Sequence, residues 1–177
     1  MKKLIFILFV LVVFALPLFA QTTNDPSTYF KSYLKNGDLS IYASIGWWFG
    51  LCVNAGAELV LGEWNIANIL PIDFSVGARV LYEGWSYLGY GVETYFGAAP
   101  MFIIHIGTFG NFDFYEGVGI GFAFYNGDFY YNYKSFEIGV AAVSGVTWYL
   151  SSNLGLILEY AYVGWVSTWG VGVTLKI

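Results

Sequence analysis

Residues 168–177 read T-W-G-V-G-V-T-L-K-I and alternate without a break. Trp169, Val171, Val173, Leu175 and Ile177 share one side, and Thr168, Gly170, Gly172, Thr174 and Lys176 share the other. A period of two over this length is a strand with one apolar and one small or polar face. The same alternation recurs upstream. Leu154, Leu156, Leu158, Tyr160 and Tyr162 oppose Gly155, Glu159 and Ala161. Val118, Ile120, Phe122 and Phe124 oppose Gly117, Gly119, Gly121 and Ala123. Ile72, Phe74, Val76, Ala78, Val80 and Tyr82 oppose Asp73, Ser75, Gly77 and Arg79, while Val53, Ala55, Ala57, Leu59 and Leu61 oppose Cys52, Asn54, Gly56 and Glu58. Together these patterns predict eight strands, at 38–49, 51–61, 70–82, 88–105, 114–125, 134–150, 153–163 and 166–177.

The position of the charges decides which way the strands face. Glu58, Asp73, Arg79, Glu93, Glu137 and Glu159 all fall on the faces that carry glycine, serine and alanine. As the outside of a soluble barrel that face is too poor in charge and too rich in glycine. As the lumen of a membrane barrel it fits, because there the apolar side chains face lipid and the polar ones face inward. Small inward residues also suit eight strands, whose interior is only wide enough for side chains to fill. The predicted fold is all-β: an eight-stranded antiparallel up-and-down transmembrane β-barrel over residues 38–177. The strand lengths, about 11 to 18 residues, agree with the ~9–11 needed to cross a bilayer at a tilt, plus extensions beyond it. Aromatic residues near the strand ends (Trp47, Trp48, Trp85, Tyr87, Tyr130, Tyr131, Tyr133, Trp148, Tyr149, Trp165, Trp169) read as interfacial girdles. Pro100 predicts a bulge in the fourth strand, since it cannot donate to the ladder.

Aromatics make up 21% of the chain and charged residues only 11%, yet no apolar run after the first 20 residues is long enough for a spanning helix. The N-terminus, M-K-K followed by an apolar run that ends L-F-A at Ala20, reads as a signal peptide cleaved after Ala20. An uncleaved anchor is the alternative, but the run falls short of the roughly 20 apolar residues a spanning helix needs. Residues 21–37 read as a polar periplasmic tail. Removing Lys2 and Lys3 leaves five basic residues against twelve acidic ones, a net charge of −7. That balance, with one arginine, argues against nucleic acid as a partner. A single cysteine, Cys52, allows no internal disulfide and reads as a small lumen residue.

This architecture resembles the small eight-stranded outer-membrane barrels of the OmpA and OmpX type. The most similar stretch is W-Y-L-S-S-N-L-G-L-I-L-E-Y-A-Y, from Trp148 to Tyr162, which looks like a tight periplasmic turn followed by a barrel strand. The resemblance implies a monomer in the outer membrane of a diderm bacterium, with outer-membrane lipid and the barrel-assembly machinery as partners. Two departures stand out. The chain ends in Ile177 where those families usually end in phenylalanine, and its connections are short on both sides.

The inward charges form the candidate site. If strands three and four turn around Ser86, Arg79 and Glu93 lie opposite one another, which predicts a lumen ion pair. The other carboxylates outnumber the single arginine and read as a structural lumen network. Acid–base work by paired carboxylates, as in glycosidases, is the alternative. His105, the only histidine, reads as a rim residue without chemistry, because no second histidine or cysteine cluster accompanies it. A Ser/His/acid set could be built only through His105, and no G-x-S-x-G is present. The alternate glycines lack phosphate-loop spacing. No cofactor or metal is implied. The connection 126–135 carries Asp128, Phe129, Tyr130, Tyr131 and Tyr133 and is the best candidate for an external contact loop with an unidentified surface ligand, although an interfacial turn anchoring the barrel in headgroups is the favoured reading.

The leading expectation is a non-enzymatic outer-membrane barrel serving envelope integrity or surface interaction. A small channel or carrier using the acidic lumen is the first rival. A soluble lipocalin-like periplasmic carrier, with the faces reversed, is the second.

Overall fold

In a computed structural model the alternating segments form one closed antiparallel sheet. The structure describes residues 30–177 apart from 48–49, 67–69, 88–90, 107, 110, 128–135 and 165. In chain order the strands are β1 (Phe30–Lys31), β2 (Leu39–Trp47), β3 (Leu51–Ile66), β4 (Leu70–Tyr87), β5 (Gly91–Ile106), β6 (Thr108–Phe109), β7 (Phe112–Asn126), β8 (Phe136–Tyr149), β9 (Leu154–Val163) and β10 (Val166–Lys176). Eight of them close in the order β10-β2-β3-β4-β5-β7-β8-β9. Closure is made by β10 against β2, from Gly170 opposite Gly46 to Lys176 opposite Ser40. The barrel is thus all-β and up-and-down, with the start of β2 and the end of β10 at one rim, where Ile177 N donates to Leu39 O. That rim is called the terminal end here, and the opposite one the distal end.

The faces fall as the alternation requires. Apolar side chains such as Val76, Val80, Val118, Ile120, Val140, Val171 and Val173 are exposed on the outside. Asn54, Glu58, Asp73, Arg79, Glu93, Glu159, Thr168 and Cys52 are buried inside. The lumen is filled by large side chains lying over glycines of neighbouring strands. A side chain on Gly56 would run into the Tyr42 hydroxyl, and one on Gly145 into the Tyr115 ring. The glycines are therefore the space in which the tyrosines lie.

Four local features differ from the sequence expectation. β3 and β4 run past 61 and 82 to Ile66 and Tyr87. A bulge between Val60 and Gly62 breaks the period of two in β3, which conceals the continuation. Pro100 causes no bulge. The ladder to β7 skips Ala99 and Pro100 and resumes in the same register, while pairing to β4 continues through Ala78 opposite Pro100. Trp85 and Tyr149 do not belong to an outer girdle. Trp85 stacks on Tyr95 at 4.8 Å in the lumen, and Tyr149 is buried, whereas Trp47, Trp148 and Trp169 are exposed.

The fourth difference is at the terminal end. The segment expected to be a free tail packs into the barrel mouth from Ser32 to Gly37. Leu34 is buried with Val60 and Tyr149, and Tyr33 stacks on Tyr149 at 4.8 Å. The Tyr33 hydroxyl donates to Asn111 at 2.6 Å, and Lys176 Nζ donates to Tyr33 O at 2.5 Å. Ser32 also donates to Asp73. Gly37, at φ 92°, takes the left-handed turn that leads from this plug into β2. One apolar residue in a polar stretch, Leu34, supplies the burial that a solvated tail lacks.

Gly145→Val tests the interlock of glycine and tyrosine. It is expected to destabilise the folded barrel by roughly 1–3 kcal/mol through overpacking against Tyr115, read as a lower urea midpoint in lipid vesicles.

Candidate functional site

The most polar part of the lumen lies between the plug and the barrel's middle, and Glu159 of β9 is its centre. Arg79 Nη1 of β4 donates to Glu159 Oε2 at 2.6 Å, and the Tyr115 hydroxyl of β7 donates to the same oxygen at 2.8 Å. Asn54 Nδ2 of β3 and Ser44 Oγ of β2 donate to Oε1 at 2.5 and 3.0 Å. The carboxylate thus accepts four hydrogen bonds, from four other strands. Arg79 in turn lies over the Tyr42 ring with its Cζ 4.2 Å from the centroid, and 5.8 Å from that of Tyr115. Desolvating a carboxylate and a guanidinium is costly, and such a pair is tolerated when geometry and further hydrogen bonds saturate it. The carboxylate meets both conditions, while the guanidinium adds ring contacts to its one hydrogen bond.

Nearer the terminal end, His105 of β5 lies among acids. Its Nδ1 is 2.8 Å from Asp113 Oδ2, and its Nε2 is 3.4 Å from Glu58 Oε1 and 3.3 Å from Ser75 Oγ. Between the two clusters is a void of about 10 Å³ lined by Tyr42, Glu58, Arg79, His105, Asp113 and Tyr115 among others. That is room for about one water molecule. Arg79 Nε has no protein partner, and a water at this site would serve it.

Ser75, His105 and Asp113 have the connectivity of a nucleophile, base and acid, with the hydroxyl on one ring nitrogen and the carboxylate on the other. Access does not match. Ser75 is 0% exposed and Glu58 shares its side of the ring. The void against His105 and Asp113 is large enough for one water molecule and too small for an acyl group.

The distal half is sealed differently. Leu81, Met101, Ile103, Val143, Val163 and Val166 form an apolar cluster inside the lumen. Val163 reaches across it, against Gly97 of β5 and Gly121 of β7, and Gly164 at φ 65° turns the β9–β10 hairpin inward over the opening. Glu93 lies in this half, accepting from the Tyr125 hydroxyl, and Glu83 is buried there as well.

Of the six predicted lumen charges, five are buried inside the barrel and Glu137 is half-buried. The predicted Arg79–Glu93 pair is not formed. β4 continues through Trp85, Ser86 and Tyr87, so Arg79 lies opposite Ala99, and Glu93 opposite Trp85. The turn is centred about three residues later than expected, so partners move by an even number of positions, which keeps each face and changes depth. His105 is corrected from rim to lumen, being 3% exposed. Asp113, Glu83, Tyr42 and Tyr115 were missed. Asp113 shares the parity of Tyr115 and Gly117, and Glu83 that of Arg79, so an earlier start to β7 and a later end to β4 would have found both. The contact loop with Asp128, Phe129, Tyr130, Tyr131 and Tyr133 lies outside the described residues.

Arg79→Leu leaves Glu159 buried without its cation and is expected to cost roughly 3–5 kcal/mol of stability. Adding Glu159→Leu should restore part of it. Denaturant titrations of the single and double variants in vesicles measure both.

No protein-family profile matches the sequence, and no curated protein matches it. Solved structures do match the fold. The outer-membrane protein Ail of Yersinia pestis in a phospholipid nanodisc aligns at 14% identity and a TM-score of 0.50, over 80% of this chain and 99% of Ail. The outer-membrane enzyme PagL aligns at 12% identity and a TM-score of 0.50, over 79% of this chain and 99% of PagL. Identity this low speaks for the fold and not for a shared activity. In its fold the chain is a closed eight-stranded up-and-down β-barrel, similar to the small barrels of bacterial outer membranes.

Proposed function

We propose that the protein is a sealed, non-enzymatic barrel of a bacterial outer membrane that serves envelope integrity or presents a surface for interaction. The observation that carries this reading is that the lumen is shut twice, by the Leu34 plug at the terminal end and by the apolar collar around Val163 at the distal end. Water and ions need a continuous polar path, and the collar interrupts it. The channel reading loses its support on the same ground. The outward belt of valine, isoleucine, leucine and phenylalanine suits lipid and not solvent. The signal-like first 20 residues suit export with cleavage after Ala20. A fully buried serine, with only a water-sized void against His105 and Asp113, supports a structural role for Ser75, His105 and Asp113 over hydrolysis.

The test is conductance. The refolded protein, whose insertion is verified by a heat-dependent shift on an SDS gel, is expected to give no unitary current steps in a planar bilayer. Val163→Gly combined with Leu34→Asp should open the path and produce them. Steady unitary steps from the unaltered protein would overturn the sealed reading and restore the channel.

A further inference from the structure

The outward face of the eight barrel strands carries a single charged side chain among the described residues, Glu116 of β7. Phe114 and Val118 flank it along its own strand, and Ile104 of β5 is its ladder partner on one side. On the other side Ser144 of β8 is directly opposite, and its hydroxyl donates to Glu116 Oε1 at 2.6 Å. Both are half-buried. The same ladder row continues to Tyr160 of β9, and Ala142, one step along β8, lies between Val118 and Tyr162. The outer surface therefore has a dip at Ala142 and Ser144, with an acid on one flank and two tyrosines on the other.

An ionisable side chain facing lipid is costly to keep and needs a partner. A carboxylate offers about four acceptor sites, and Ser144 occupies one of them. Lipid headgroups are poorly placed to fill the rest. The stacked pair Phe112 and Trp148 marks the terminal-side rim of the belt, and four residues of a strand tilted by about 40° put Glu116 about 10 Å further in. Acyl chains offer no donor. A second copy of this chain does, because the patch is its own complement. A two-fold partner brings the Tyr160 and Tyr162 hydroxyls to the acid of the first copy, and each acid is served in turn. Small residues at the centre of the patch allow two walls to approach closely.

We propose that the β7–β8–β9 face, centred on Glu116 and Ser144, is the contact between two copies of this barrel within the membrane. The sequence expectation of a monomer is set aside by this inference. It rests on the reading that the outer belt faces lipid, and a protein that stays soluble without detergent and never enters vesicles overturns that reading first, and visibly so.

The test is oxidative cross-linking in dilute lipid vesicles, with Ala142→Cys on the proposed face and Ala57→Cys on β3 across the barrel. The native Cys52 is buried in the lumen and does not interfere. Ala142→Cys is expected to give a covalent dimer and Ala57→Cys none. Adding Glu116→Leu should weaken association about tenfold, while Glu116→Gln, which keeps an acceptor, loses less. Leucine suits a lipid-facing position, so Glu116→Leu should still fold and show the heat-dependent gel shift. Equal cross-linking at both positions, none at Ala142→Cys, or a dimer unaffected by Glu116→Leu overturns the proposal.

Discussion

The carboxylate of Glu159 ties the barrel together from within. Its four donors come from β2, β3, β4 and β7, while Glu159 itself is on β9. Neighbouring strands are held by the ladder, but nothing in the ladder fixes one wall against the wall across the lumen. Glu159 does this at the level of Arg79, and the tyrosines above and below the guanidinium complete a packed layer. Each of those tyrosines requires a glycine beneath it, so the glycine content of the chain follows from the bulk of its lumen. A buried ion pair contributes little net stability against an apolar replacement but gives a defined geometry when every donor is satisfied. Here it sets one arrangement of five strands around a single group.

Most of the fold was legible because a period of two survives in strand after strand. The facing of Arg79, Glu58, Asp73, Glu93 and Glu159 follows from that period alone, and the structure places each of them inside. Depth was not legible. Parity says which side a residue is on, but pairing depends on where the turn falls, and Trp85-Ser86-Tyr87, expected as the turn, belongs to a strand. Arg79 consequently meets a carboxylate of β9, on the far side of the ring, and no local pattern in β4 indicates it. His105 illustrates the same limit. Its strand end was visible, but Asp113 and Glu58, which enclose its ring, come from β7 and β3.

The plug and the collar were invisible for related reasons. Leu34 is one apolar residue in a polar stretch and has no periodicity to display. Its meaning comes from Val60 and Tyr149, which the closed ring brings to the terminal mouth. Val163 alternates like its neighbours, and only the inward turn at Gly164 carries it across to Gly97. Closing a small barrel leaves two open mouths, and this chain closes them by different means. A folded-in segment with polar anchors covers one end, and a greasy hairpin covers the other. The polar clusters therefore lie in a compartment with room for about one water molecule, where ion pairs are strong because water is scarce.

A membrane barrel requires the apolar faces to point out to lipid while the charged faces point in. Tryptophan quenching by brominated phospholipid measures that directly, using variants that each keep a single tryptophan. Trp148 and Trp169 are exposed on the outer face, and Trp85 stacks within the lumen. In vesicles of brominated lipid, the emission of Trp148 and Trp169 should be strongly quenched and that of Trp85 should not. Quenching of Trp85 with Trp148 and Trp169 unaffected would mean that the faces are reversed, and the membrane barrel would give way to a soluble one.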